Sequence, residues 1–188
     1  MYDLSDGWFT KAHKIPSPNY NKRPENTAID AIIIHSISLP PGCYEGNDIH
    51  HFFSNKLDCD KAPFYDEIRD LSVSAHLLIR RDGELVQYVN LLERAWHAGP
   101  SCLGDQENCN DFSIGIELEG THNSHFEAAQ YKTLTSVVSS LLKCFPEIST
   151  ERIVGHSDIA PGRKTDPGTG FDWGHWQAML NNTLNLKE

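Results

Sequence analysis

Apolar and polar positions along the chain follow two different periods, and the change from one to the other marks the elements. From Ile29 to His35 the residues are almost continuously aliphatic and β-branched, the pattern of a strand buried on both faces, and the run ends at a histidine. Gly46 to Lys56 reads as a short helix with irregular apolar spacing. Val73 to Arg80 and Glu84 to Asn90 alternate on either side of Arg81-Asp82-Gly83, and an Asp-Gly step between alternating runs predicts two antiparallel strands joined in a hairpin. Between Phe112 and Glu119 the alternation is clean. Ile114, Ile116 and Leu118 point one way, while Ser113, Gly115, Glu117 and Glu119 point the other, so this strand carries two carboxylates on one face.

The period then lengthens. Ser124 and Glu127 have the spacing of a capping box, which predicts a helix starting there. Leu134, Val137, Val138, Leu141, Leu142 and Phe145 form its apolar stripe, and Pro146 stops it. Arg152 to His156 reads as a further short strand and Ser157 to Gly170 as a loop rich in proline and glycine. Asp172 caps a last helix bearing Trp173, Trp176, Met179 and Leu180. Strands and helices intermix, which predicts an α/β or α+β fold around a mixed sheet. With no repeat, low-complexity tract or linker, residues 1–188 are expected to form one domain.

Composition narrows the partners. A chain of 188 residues buries about 70% of its unfolded surface without staples, so a metal here would serve chemistry. The formal net charge of -10, with no stripe of Lys and Arg, repels phosphate backbones and anionic lipid, which argues against nucleic acid and membrane as partners. The first residues carry Asp3 and Asp6 where a secretory leader would carry basic groups, and Ala31 to Ile34 is far too short to span a bilayer. Cys43, Cys59, Cys102, Cys109 and Cys144 are odd in number and widely spaced, fitting neither a disulfide framework nor a thiolate metal site. A monomer in the reducing cytoplasm is expected.

Among ten histidines, two stand at the ends of predicted buried strands: His35 after Ile32-Ile33-Ile34, and His156 after Ile153-Val154-Gly155. Asp166 follows in Pro161-Gly-Arg-Lys-Thr-Asp-Pro-Gly168, where Pro167 biases its backbone toward an extended conformation. Two imidazoles and a carboxylate make a three-ligand site for Zn²⁺ with an open fourth position. Zinc lowers the pKa of a water there from ~15.7 to roughly 7 and polarises a carbonyl oxygen, chemistry suited to amide hydrolysis. A proton carrier is still needed. Glu117, beside small Gly115 and flanked by Ile116 and Leu118, is one candidate and Glu119 the other. Lys164, on the Asp166 loop, is placed to meet a developing oxyanion. The segment Gly155-His-Ser-Asp158 is not the G-x-S-x-G elbow of a serine hydrolase.

Several blocks resemble one family. His35-Ser-Ile-Ser-Leu-Pro-Pro-Gly42, Val73-Ser-Ala-His-Leu-Leu-Ile-Arg-Arg-Asp-Gly83, Arg94-Ala-Trp-His-Ala-Gly99, Cys109-Asn-Asp-Phe-Ser-Ile-Gly-Ile-Glu-Leu-Glu-Gly120, Gly155-His156 and Arg163-Lys-Thr-Asp-Pro-Gly168 occur in order between Ser17 and Trp173. They are similar to the zinc-dependent type 2 N-acetylmuramoyl-L-alanine amidases, in the branch acting on 1,6-anhydro-muropeptides during peptidoglycan recycling. The resemblance implies His35, His156 and Asp166 as zinc ligands, Glu117 rather than Glu119 as general base, and Lys164 as stabiliser of the tetrahedral intermediate. It also implies a central mixed sheet flanked by helices, shared with bacteriophage T7 lysozyme and the peptidoglycan recognition proteins. The implied reaction cleaves the amide between the lactyl group of anhydro-muramic acid and L-alanine, in soluble anhydro-muropeptides.

Further contacts to substrate follow from the same likeness. Trp96 and His97 suit a groove that takes the sugar, with the Ala95 carbonyl as acceptor for the peptide, although a core tryptophan fits Trp96 as well. Ser36 stands where close relatives have asparagine, and Ser72 and Asn108 where family members commonly have arginines that clamp carboxylates. Arg69, Arg80 and Arg94 are the candidates to compensate. Two other readings compete: an amidase acting on polymeric wall, which would require export or lysis, and a non-catalytic muropeptide sensor, which would usually lack a zinc ligand.

Overall fold

The computed structural model describes residues 2–185. Six strands build a central sheet: β1 (His13–Lys14), β2 (Ala31–Ile37), β3 (Leu77–Ile79), β4 (Leu85–Gln87), β5 (Ser113–Glu119) and β6 (Ile153–Gly155), in the spatial order β6-β2-β5-β3-β4-β1. Only β3 and β4 pair antiparallel; β6, β2, β5 and β3 run parallel, as do β4 and β1. The sheet is mixed, and helices α1 (Asp48–Phe53), α2 (Ala128–Cys144), α3 (His156–Ile159) and α4 (Trp173–Asn185) flank it. Among the described residues, no helix is long and apolar enough to cross a membrane.

Alternation decides which side chains go where. Ile32 and Ile34 of β2, Leu77 and Ile79 of β3, and Ile114, Ile116 and Leu118 of β5 form one apolar face. Helices α2 and α4 cover it with Leu134, Val137, Val138, Leu141, Trp176 and Leu180. The opposite face carries two smaller clusters. Leu78 and Val86 pack with Phe52, Phe53, Tyr65 and Tyr88, and Ala31 and Ile33 pack with Ala98, Cys109, Phe112 and Ile159. His35 follows Ala31 and Ile33 on this second face, and Ser113, Gly115, Glu117 and Glu119 share it.

The elements read from the pattern are present, with differences that have local causes. The Asp-Gly hairpin forms, with Gly83 at a φ of 88°, but its strands shorten to Leu77–Ile79 and Leu85–Gln87. Helix α2 is not capped by Ser124. Its N-cap is Glu127, whose box partner is Gln130, because the Ser124 hydroxyl is engaged in the preceding turn with Thr121. The last predicted strand stops at Gly155, and His156 opens the short α3 inside what the pattern reads as loop. Asp172 does cap α4, accepting from the His175 N–H at 2.9 Å. All seven residues of β5 are buried, so its polar face is covered rather than open to water.

That covering layer is polar and fully bonded in places. Arg23 reaches under it and donates to the carbonyls of Leu91, Asn110, Asp111 and Ser113, and burial lowers its pKa to about 10. His76 accepts the Gly115 N–H at Nδ1 (3.0 Å), which leaves its other ring nitrogen to donate to the Glu93 carbonyl (3.0 Å). Burial, then the nearby Arg23 charge, drops the His76 pKa from 6.5 to about 3. Between those two values the unfolded chain holds a proton on this ring that the folded chain does not. The contribution of His76 to stability is therefore complete above about 6.5 and declines as the pH falls toward about 3. In urea titrations over that window, His76→Asn should reduce the slope of stability against pH by about one proton; an unchanged slope would contradict neutral burial of this ring.

Candidate active site

Three adjacent parallel strands end side by side, and the chemistry gathers at their carboxyl ends, the usual crevice of such sheets. In the β2–β5 register Glu117 is paired with His35, and in the β6–β2 register Gly155 is paired with Ile34, so His156 emerges next to His35. The fourth group arrives by loop. Asp166 is held by its own carbonyl, which accepts the Ser157 N–H at 2.9 Å, and a cis Asp166–Pro167 bond follows it. Gly168 has a φ of 81°, and a Cβ there would lie 2.0 Å from the His122 carbonyl oxygen, so only glycine lets this loop lie so close to the 121–124 turn.

The result is a tight triangle. His35 Nδ1 lies 3.0 Å from His156 Nδ1 and 3.1 Å from Asp166 Oδ2, and His156 Nδ1 lies 3.0 Å from the same oxygen. Burial keeps His35 neutral, with its pKa lowered to about 4. Burial works against the charge of Asp166, but the His156 and His35 rings beside it hold its carboxyl well below the usual carboxylate range. Two nitrogens and one oxygen facing one another at such distances suit a shared cation: donors at ~2.0 Å from one tetrahedral ion stand about 3.3 Å apart. Among the described residues these three are the one group of this kind.

Beside the triangle, Glu117 is buried, and its Oε2 has no hydrogen-bond partner. Burial, reinforced by Asp166, raises its carboxyl well above the ordinary range, and Lys164 pulls the other way. Glu119 is differently employed, accepting from the Arg80 guanidinium at 3.3 Å and the Arg81 N–H at 3.1 Å. A cavity of about 430 Å³ opens above these groups. His35, His97, Glu117, His156 and Asp166 line it together with Ser36, Trp96 and Lys164, while Phe52, Phe53, Phe64, Ile68 and Leu71 supply an apolar wall.

Not every residue singled out from the sequence reaches the cavity. Ala95 is fully buried in the second core, pairs with Tyr20 and does not line it; Asn108 lies exposed at a φ of 59°, opening a turn away from it. His97 does line it, but both ring nitrogens are engaged, at 3.0 Å from His35 Nε2 and 3.3 Å from Ser113 Oγ. Trp96 is half-buried, with its indole donating to Asn21 at 2.6 Å, so it is wall rather than core. None of the three proposed compensating arginines lines the cavity. Arg69 pairs with Asp60 and Asp66, Arg80 with Glu119, and Arg94 with Asp111. The basic groups at the rim are Arg163 and Lys164, and Arg163 is bonded to the Ala98 and Pro100 carbonyls.

Sequence reasoning missed the apolar wall. Its signal is the pair Phe52-Phe53 followed by Phe64, Ile68 and Leu71, on turns without one period. Asp48 fastens those turns by accepting from Lys61 and from Tyr65 Oη (2.8 Å).

Comparison with known proteins agrees with this geometry. The family described as N-acetylmuramoyl-L-alanine amidase matches residues 25–169. The 1,6-anhydro-N-acetylmuramyl-L-alanine amidase AmpD of Escherichia coli (strain K12) is 48% identical over 178 residues, covering 95% of this chain and 97% of the relative. A crystal structure of a selenomethionine derivative of AmpD superimposes with a TM-score of 0.92 at 47% identity, covering 95% of this chain and 99% of that one. The amidase AmiD from E. coli, solved with the substrate anhydro-N-acetylmuramic acid-L-Ala-D-γ-Glu-L-Lys, gives a TM-score of 0.60 at 28% identity, over 84% of this chain and 60% of that one. The chain belongs to the N-acetylmuramoyl-L-alanine amidase family. It is an enzyme of that class.

Gly115 offers a direct test of how closely the site is packed. A Cβ on it would lie 2.4 Å from the His97 ring. Gly115→Ala should lower stability by about 1–3 kcal/mol through overpacking, read as a lower urea midpoint; an unchanged midpoint would show that the ring has room to move.

Proposed function

We propose that the chain hydrolyses the amide between the lactyl group of 1,6-anhydro-N-acetylmuramic acid and L-alanine in soluble anhydro-muropeptides, as a zinc-dependent cytoplasmic recycling enzyme that acts as a single-domain monomer. The observation that carries this reading is the convergence of His35, His156 and Asp166 beside a buried, partnerless Glu117 oxygen at the floor of a cavity. The near full-length similarity to AmpD supports the substrate class. Five free thiols support a reducing compartment.

The donor set fits zinc, with His35 Nδ1, His156 Nδ1 and Asp166 Oδ2 as the holding atoms. When bound there, Zn²⁺ supplies Lewis-acid polarisation of the scissile carbonyl and acidifies nearby water. Glu117 takes the proton of the attacking water on its free oxygen, held in reach by β5 and kept from solvent by its burial. As the water oxygen bonds to the lactyl carbon, charge develops on the carbonyl oxygen, and Lys164 presents its ammonium from the rim. Glu117 then returns the proton to the alanine nitrogen, the C–N bond breaks, and a lactyl carboxylate and a free amine leave. Trp96 and the wall of Phe52, Phe64 and Leu71 bind the apolar faces of sugar and peptide, and the Ser36 hydroxyl serves as a polar contact.

Two outcomes are expected. Glu117→Ala should retain one zinc by elemental analysis while kcat falls by about 10²–10⁴; unchanged turnover would refute its role as the proton carrier. Mass spectrometry of products from zinc-loaded protein should show release of peptide from anhydro-muropeptides. Matched non-anhydro muropeptides and purified sacculi serve as controls, and a preference for sacculi would overturn the recycling assignment.

A further inference from the structure

A zinc ligand must offer a bare nitrogen, and a neutral imidazole offers only one, so the hydrogen bond made by the other nitrogen decides whether the site is ready. In this structure that decision can be followed to its origin. The Ser113 hydroxyl lies 2.5 Å from the Cys109 carbonyl oxygen. A carbonyl can only accept, so the hydroxyl hydrogen points at it and Ser113 Oγ is left to accept in turn. The group facing that oxygen is His97 Nε2, at 3.3 Å, which must therefore carry its hydrogen. His97 Nδ1 is then bare, and it faces His35 Nε2 at 3.0 Å. The hydrogen between them belongs to His35 Nε2, so His35 Nδ1 is bare and faces His156 and Asp166.

The second imidazole is set from the next residue along. His156 Nε2 lies 3.0 Å from the Ala98 carbonyl, which again can only accept, so His156 Nδ1 is bare as well. The two-residue stretch His97-Ala98 thus directs both histidines, one through a ring and one through a carbonyl. It is itself pinned: Asn110 Oδ1 accepts the His97 N–H at 3.0 Å and the Ala98 N–H at 2.8 Å. Gly115 leaves the space in which the His97 ring lies, since any Cβ there would meet it.

We propose that His97 is a positioning residue which, directed by Ser113, fixes the tautomer and orientation of His35 so that its Nδ1 is presented to the metal. This extends the zinc reading of the site and replaces the expectation that His97 contacts substrate.

The test uses zinc-loaded protein and reads affinity and tautomer rather than turnover. His97→Phe keeps a ring without an acceptor and should weaken zinc binding about 10–100-fold in chelator competition. His97→Asn places an amide oxygen where Nδ1 stood and should recover most of the loss. Two-bond ¹H–¹⁵N spectra of the wild type should show His35, His97 and His156 all protonated at Nε2. Ser113→Ala, which leaves every ring in place, should convert His97 to a mixture of tautomers. Wild-type zinc affinity in His97→Phe, an Asn variant as weak as the Phe variant, or a His97 protonated at Nδ1 would each overturn the proposal. If wild-type protein bound no zinc, the functional reading itself would fall, and the His97 tautomer would still be readable in the metal-free protein.

Discussion

Parallel register is the constraint on which the site depends. With β6, β2 and β5 side by side and pointing the same way, residues that are more than a hundred positions apart in the chain are brought to neighbouring places on one edge. A shift of one residue in the β2–β5 pairing would turn Glu117 to the face covered by α2 and α4. The alternation of β5 opposes such a shift, because Ile114, Ile116 and Leu118 have to meet that helical layer while Ser113, Gly115 and Glu117 share the face of His35. The hydrophobic pattern thus sets the positions of polar groups that contribute nothing to the core themselves.

Burial does the complementary work on charge. His35, His76 and His97 are all driven toward their neutral forms, chiefly by desolvation. Neutral rings carry one hydrogen each, so a row of them transmits direction from a backbone carbonyl to the heart of the site. Water in that layer would blur this ordering. Arg23 bonds to the carbonyls and Asn110 to the N–H groups around it, so those polar atoms are satisfied by protein.

Much of this was legible in the amino-acid order, and the omissions have physical reasons. The two periods located β2, β5, α2 and α4, and the ends of apolar runs marked His35 and His156, because a buried strand that breaks off at a polar residue does so at a rim. What alternation could not tell was whether the polar face of β5 meets water or another layer. Here Ser113, Gly115 and Glu119 are occupied by Cys109, His97 and two arginines, and Glu117 alone keeps a free oxygen. Capping chemistry was misplaced for a similar reason: Ser124 has the right spacing to Glu127, yet its hydroxyl is committed to the turn before. The wall over the cavity has no single period, so nothing short of tertiary contact reveals it. The placement of Ala95 and Asn108 away from the cavity likewise follows from local pairing and backbone conformation, which spacing along the chain does not encode.

The sheet ends in very short strands. At one margin stands β1, two exposed residues of which one is lysine, and at the other β6, three residues that give way at once to a helix. Neither margin offers a second molecule more than a fragment of ladder to extend, and a lysine there would resist burial under an added strand. A chain whose chemistry requires an unbroken run of parallel strands at its centre therefore carries little invitation to fibrillar growth at its borders.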